Sequence, residues 1–137
     1  LGAQLLPDTI IDYINGEISP IKQEESTATI VRKISRDSGR INWSNEAIEI
    51  ERQVRAMHTW PNAWTTWNAK SLKIIKSDIY DNVEGEPGKV VCNEGILVVC
   101  KNNTALKILE LQLEGKKIMS ADEFIKGNSE IIGTILE

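Results

Sequence analysis

Apolar residues recur at helical spacing from the start of the chain: Leu5, Leu6, Ile10, Ile11 and Ile14, with Leu6, Ile10 and Ile14 on one face, and Gly16 stands where a helix terminator belongs. This predicts an amphipathic helix over Leu1–Asn15. The polar stretch Glu17–Ser26, with Pro20 inside it, offers that stripe no apolar partner. A second helical pattern follows, with Ser44 as its N-cap, Trp43 packing on Ile48 as a hydrophobic staple, and Ala47, Ile50, Val54 and Met57 on one face to an end near His58. Trp60-Pro61-Asn62-Ala63 then has the residues of a type II turn, with Asn62 at the position that requires positive φ.

From Ala63 the period changes. AWTTWN, SLKIIKSDIY, KVVC, ILVVCK and ALKILELQL are rich in β-branched and aromatic residues, and Asn-Ala, Glu-Gly-Glu-Pro-Gly, Asn-Glu-Gly and Asn-Asn-Thr turns separate them. Five or six short strands joined by close turns predict a small antiparallel barrel. Ser120 and Glu123 make a capping box for a short helix ending at Gly127, and Ile131–Leu136 supplies a closing strand. The fold class is mainly β with flanking helices (α+β), and 137 residues suffice for one domain with a core.

Charge narrows the chemistry. With 16 basic and 20 acidic side chains the chain is no polycation, so nucleic-acid binding would need a local patch. One exists between Arg32 and Arg40, where Arg32, Lys33, Arg36 and Arg40 face only Asp37. Cys92 and Cys100 lie eight positions apart in apolar runs without metal-ligand spacing, and read as reduced strand or core residues of an intracellular protein, with a cross-hairpin disulfide as the alternative. Pro7, Asp8 and Asp12 interrupt the first apolar segment, so neither a signal peptide nor a membrane span is expected.

Five runs carry a family resemblance: QEESTATIVRKI (23–34), KISRDSGRINWS (33–44), VRAMHTWPNAWTTWNAKSLKIIK (54–76), GEPGKVV (85–91) and LELQLEGKKIMSADEFIKG (109–127). In this order they resemble the carboxy-terminal domain of methionyl-tRNA formyltransferases, whose members show an R-A-F-N-P-W-P-G-A-x-T-T run and an L-E-x-Q-x-E-G-K-K-x-M-S-A-x-x-F run. The resemblance implies that residues 1–21 are the last helix and tail of an amino-terminal catalytic domain, 22–40 an interdomain linker and 41–137 an OB-like barrel. It also implies a transferase of translation initiation, moving a formyl group from 10-formyltetrahydrofolate to the methionine of initiator methionyl-tRNA. The cytoplasm of a bacterium or an organelle matrix is the implied location. The first helix is expected to pack on the catalytic domain in the whole enzyme, and in this chain alone to be frayed or docked on a second copy. The rivals are the equivalent barrel of another folate-dependent formyltransferase, and a bracing module that touches no RNA.

Formyl transfer needs a general base and groups that stabilise a tetrahedral intermediate. The family's Asn, His and Asp for this purpose have no counterparts here. Leu5-Leu6-Pro7 matches the family's Ser-Leu-Leu-Pro segment only by accident, and the lone His58 has no acid or nucleophile beside it. Neither catalytic residues nor a metal or cofactor are therefore expected in this chain itself. The candidates are cations suited to phosphates: Lys33, Arg36 and Arg40 from the linker, and Lys70, Lys73, Lys101, Lys107, Lys116 and Lys117 from the barrel, set against the plainer role of lysines as a solvated exterior. Trp43, Trp60, Trp64 and Trp67 are expected to pack in the core rather than stack on bases. Trp64 and Trp67, three apart, should point to opposite faces, with Trp67 at the surface.

Overall fold

The computed structural model describes residues 1–93 and 95–137, which form two compact units, Leu1–Lys33 and Ile34–Glu137. In the first unit the apolar stripe forms helix α1 (Gly2–Ile14), followed by Gly16 at φ +76 as its spacing predicts. No residue of α1 is buried, and Leu5, Leu6, Ile10, Ile11 and Ile14 are 45–76% exposed. Beyond it Glu25–Thr27 makes a single 3-10 turn, with the Glu24 carboxylate accepting from the Ser26 amide.

The second unit begins with a 3-10 turn, Arg36–Gly39, and helix α2 (Ala47–Ala56). Strands β1 (Ala63–Trp67), β2 (Lys70–Asp81), β3 (Val90–Cys92), β4 (Ile96–Val99), β5 (Thr104–Leu113) and β6 (Met119–Ser120) follow, with helix α3 (Ala121–Gly127) after them. All strand pairings are antiparallel, in the order β1-β2-β5-β4-β3, and β6 shares an edge of β5 with β4. The turn expected at Asn93–Gly95 includes Glu94, which lies outside the described residues. By strand pairing the sheet is open. The tail does not form the expected regular strand; it makes an isolated bridge, Lys89 to Ile135, and reciprocal amide hydrogen bonds between Thr66 and Glu137.

Alternation decides which residues form the core. Ala63, Thr65 and Trp67 of β1, Leu72 and Ile74 of β2, and Leu111 and Leu113 of β5 point inward, where Ile50 and Val54 of α2 and Phe124 of α3 cover them. The buried hydroxyl among them is satisfied, as the Trp43 indole N–H donates to Thr65 Oγ1 (3.1 Å), which donates to the Glu137 carbonyl (2.7 Å), whereas the buried Trp67 indole N–H has no partner among the described residues.

Three local expectations are corrected. Helix α2 starts at Ala47, not after Ser44, because Asn42 turns the chain first: its side chain accepts from the Ser44 amide and its carbonyl from the Asn45 amide. The helix end is then capped from a distant strand, as the Ala47 amide donates to Thr104 Oγ1 (3.0 Å). Trp64 and Trp67 do face opposite ways, but Trp67 is the inner one, 5% exposed, with its ring edge-on to Phe124 at 5.6 Å. Trp60, expected in the core, is 62% exposed. Asn62 takes its positive φ (+66), while the Trp60–Pro61 peptide is cis and the Asn62 amide donates back to Met57.

Candidate nucleic-acid interface

The 3-10 turn Arg36–Gly39 is held from three directions by its main chain. Gln53 of α2 donates through Nε2 to the carbonyls of Ser38 and Arg40 (3.1 Å each). The Trp64 indole N–H of β1 donates to the Arg36 carbonyl (3.1 Å), and the Ile41 amide to the Trp64 carbonyl (2.8 Å). Gly39 closes the third side: a Cβ there would overlap the Asn62 carbonyl oxygen, so only glycine lets the turn meet the loop after α2. Since backbone atoms fix the turn, the two arginine side chains are left for other work.

Both guanidinium groups lie by the outward face of Trp64, with Arg36 Cζ at 6.0 Å and Arg40 Cζ at 5.7 Å from the ring centroid. At this range the ring quadrupole attracts a cation by about 0.5–1 kcal/mol at an exposed site, which offsets part of the repulsion of gathering two like charges. Strand register extends the group: Trp64 of β1 stands opposite Lys73 of β2, which stands opposite Gln112 of β5, an outward row across three strands. Arg36, Ser71, Lys73, Gln112 and Glu114 line a cleft of about 200 Å³. Glu114 is tied down inside it, accepting from the Ser71 amide (3.0 Å), and Gln112 Nε2 donates to the Lys116 carbonyl (2.9 Å). This brings the exposed turn carrying Lys116 and Lys117 to the same end of β5.

The other candidates stand elsewhere. Lys70 is exposed at the first position of β2, paired with Trp67 of β1. Lys107 faces Asp78 and Leu97 across its strands, five residues from Gln112 along β5, about 17 Å. Lys101 is exposed beyond the far end of β5, its amide donating to the Asn45 carbonyl by the start of α2. Lys33 is exposed at the end of the first unit. Trp64 and Gln112, which organise the cluster, carry no charge, so the pattern of cations along the sequence does not point to them. Their signal was the register of a three-strand row, which emerges only once the pairing is known.

A second cleft of about 530 Å³ is lined by Arg40, Ile41, Asn42, Trp43, Ser44, Pro87, Leu136 and Glu137. Trp43 is buried there and presents no ring face to a ligand. His58 is exposed, and among the described residues no side chain is hydrogen-bonded to it. Among the described residues no group of three or more His, Cys, Asp and Glu could hold a metal ion, and no helix is long and apolar enough to cross a membrane.

A family model described as formyl transferase, C-terminal domain, matches residues 33–129. The chain belongs to that family. Its match includes the 3-10 turn, the Trp64 row and the Lys116 turn. Two similar proteins are the methionyl-tRNA formyltransferases of Bacillus velezensis and Bacillus subtilis, each 41% identical over 98% of this chain. The chain spans 44% of the length of each. Among solved structures it resembles HypX from Aquifex aeolicus at a TM-score of 0.59, with 14% identity over 94% of this chain and 24% of that one. Another HypX structure, in complex with tetrahydrofolic acid, matches at a TM-score of 0.57 with 15% identity over 91% of this chain and 22% of that one. Such low identity speaks for the shared fold of this C-terminal formyl transferase domain.

Proposed function

We propose that this chain is the carboxy-terminal part of a methionyl-tRNA formyltransferase, and that its second unit holds tRNA by the phosphate backbone. On this reading residues 1–21 are the last helix and tail of the catalytic domain, 22–40 the linker, and 41–137 an OB-like barrel whose gap between β1 and β3 the tail closes. The whole enzyme transfers a formyl group from 10-formyltetrahydrofolate to the amino group of initiator methionyl-tRNA, in the cytoplasm of a bacterium or an organelle matrix. The donor is held by the catalytic domain: the 530 Å³ cleft here, with Trp43 buried in its wall, has no slot for a stacked pteridine and does not fit it. The apolar face of α1 docks on the catalytic domain, or on a second copy where that domain is missing.

The observation that carries this reading is the gathering of Arg36 and Arg40 on Trp64, with Lys73 next in the row and the Lys116–Lys117 turn at its end. Guanidinium groups present planar forks to phosphate oxygens, and a pinned side chain loses less freedom on binding than a free one. Four or five such contacts neutralise phosphates without reading bases, so the molecule binds RNA despite a net charge of -4. The function of this unit is to hold the body of the tRNA while the acceptor end reaches the catalytic domain. Lys33, Lys70, Lys101 and Lys107 add at most distant contacts.

Binding of tRNA measured across salt concentrations tests this reading. A slope of log affinity against log salt of about -3 to -4 is expected for four or five phosphates. Replacing Arg36 and Arg40 by Gln together should flatten the slope by about 1.5 to 2 and weaken initiator and elongator tRNAs alike. Replacing Lys116 and Lys117 by Glu should act in the same direction. Stability should change by less than about 0.5 kcal/mol, because main-chain atoms hold the 3-10 turn. Unchanged affinity and slope in both variants would leave the domain as a brace for its neighbour.

A further inference from the structure

We propose that Trp60 is a stacking platform for an unpaired base of the RNA whose phosphates the Arg36–Arg40 turn engages. The proposal rests on the RNA reading above and adds to it a contact that phosphate electrostatics does not supply. Among the described residues of the second unit, Trp60 is the only exposed Trp, Tyr or Phe; Trp64 and Tyr80 are half-buried and Trp43, Trp67 and Phe124 are buried. A tryptophan left largely in water gives up the burial that usually stabilises it. Its loop does not lack order. The Asn62 amide donates to the Met57 carbonyl (2.9 Å), Asn62 Nδ2 to the Thr59 carbonyl (3.3 Å), and the buried Pro61 ring lies against Gly39. Thr59, a β-branched residue, is held at φ +72, a conformation such residues rarely adopt without a reason. The indole is thus carried on a rigid tip, and the same tip abuts the turn that presents Arg36 and Arg40.

The surroundings decide what kind of partner fits. A protein-docking tryptophan is ringed by apolar residues that exclude water. In sequence Trp60 is flanked by His58, Thr59, Pro61 and Asn62, of which Pro61 is buried against Gly39 and the other three are polar, and the loop that carries it meets the cationic turn there. An exposed indole on a loop that abuts a turn bearing two arginines suits a base attached to a phosphate backbone, and RNA is recognised at unpaired bases splayed onto such rings.

The test compares the chain with its Trp60→Ala, Trp60→Leu and Trp60→Phe variants against two probes, tRNA and a blunt-ended RNA duplex. Trp60→Ala should weaken tRNA roughly 5- to 100-fold, the range for one lost base stack, with the salt slope unchanged since no phosphate contact is lost. Leu should resemble Ala, Phe should restore most of the affinity, and none of the three should alter duplex binding. The Leu and Phe variants also decide the matter if Ala fails to fold, because both keep apolar bulk at an exposed site. Equal tRNA affinity for Leu and wild type would overturn the proposal while leaving the RNA reading standing, as would equal losses on tRNA and duplex. Loss of self-association with unchanged RNA affinity would assign Trp60 to a protein contact and overturn it too. Absence of tRNA binding by the wild-type chain at low salt would remove both readings.

Discussion

Gly39 shows how much a single missing methyl group can decide. Any Cβ there meets the Asn62 carbonyl, a backbone atom that cannot rotate away, so Gly39→Ala must separate the 3-10 turn from the Trp60 loop. The expected cost is about 1–3 kcal/mol, the usual range for overpacking, read by chemical denaturation. The two cysteines give a second residue-scale expectation. Burial pushes the Cys100 thiol up from its ordinary 9.0 to about 12, while Cys92 is exposed. At pH 8 a thiol reagent should therefore modify one cysteine in the native protein and the second only after unfolding. The sign of the pH effect follows. The unfolded thiol loses its proton above 9.0 and the native one holds it, so this contribution to stability is intact below 9.0 and is lost as the pH rises through about 12. The decline between pH 9 and 11 should be shallower in Cys100→Ala, measured by urea titration at each pH.

At the scale of elements, the start of α2 depends on a hydroxyl 57 residues away. Thr104 Oγ1 accepts from the Ala47 amide and donates to the Lys101 carbonyl, and Asn102 Nδ2 reaches the Glu46 carboxylate at 2.6 Å. Thr104→Val keeps the shape and removes the cap; it should cost about 1–3 kcal/mol, with Thr104→Ser restoring most of it in thermal or urea unfolding. Such dependence explains what the sequence could convey. The strands were legible because Ala63, Thr65 and Trp67 alternate with Trp64 and Thr66, and the Ser120 capping box because its partners lie three residues apart. The true start of α2 was not legible, since Thr104 becomes its neighbour only when the helix packs against β5. Nor could the pattern tell which of Trp64 and Trp67 faces inward, because Phe124 of α3 decides that. The cationic residues of the candidate site were readable as charges. Their grouping required the register that sets Trp64, Lys73 and Gln112 in one row, and that same register sends Lys107 to another part of the sheet.

For the whole molecule, Leu1–Lys33 and Ile34–Glu137 are each a compact unit, and α1 is expected to be dispensable to the fold of the second. Not one residue of α1 is buried. Deleting residues 1–16 should leave cooperative unfolding of the second unit unchanged within about 0.5 kcal/mol, while reducing any self-association seen by sedimentation. Loss of the cooperative transition would mean that α1 belongs to the second unit after all. The other terminus is the opposite case. Residues 133–137 form no regular strand, yet they occupy donors and acceptors of both β1 and the β3 side: Thr66 exchanges hydrogen bonds with Glu137, Val90 donates to Thr134, and Leu136 donates to Gly88. Without them β3 would present bare amides and carbonyls and β1 would be covered only where Ile41 bonds Trp64, borders on which another chain could add itself. Those five residues thus stand as a stopper where strand-by-strand growth would otherwise begin.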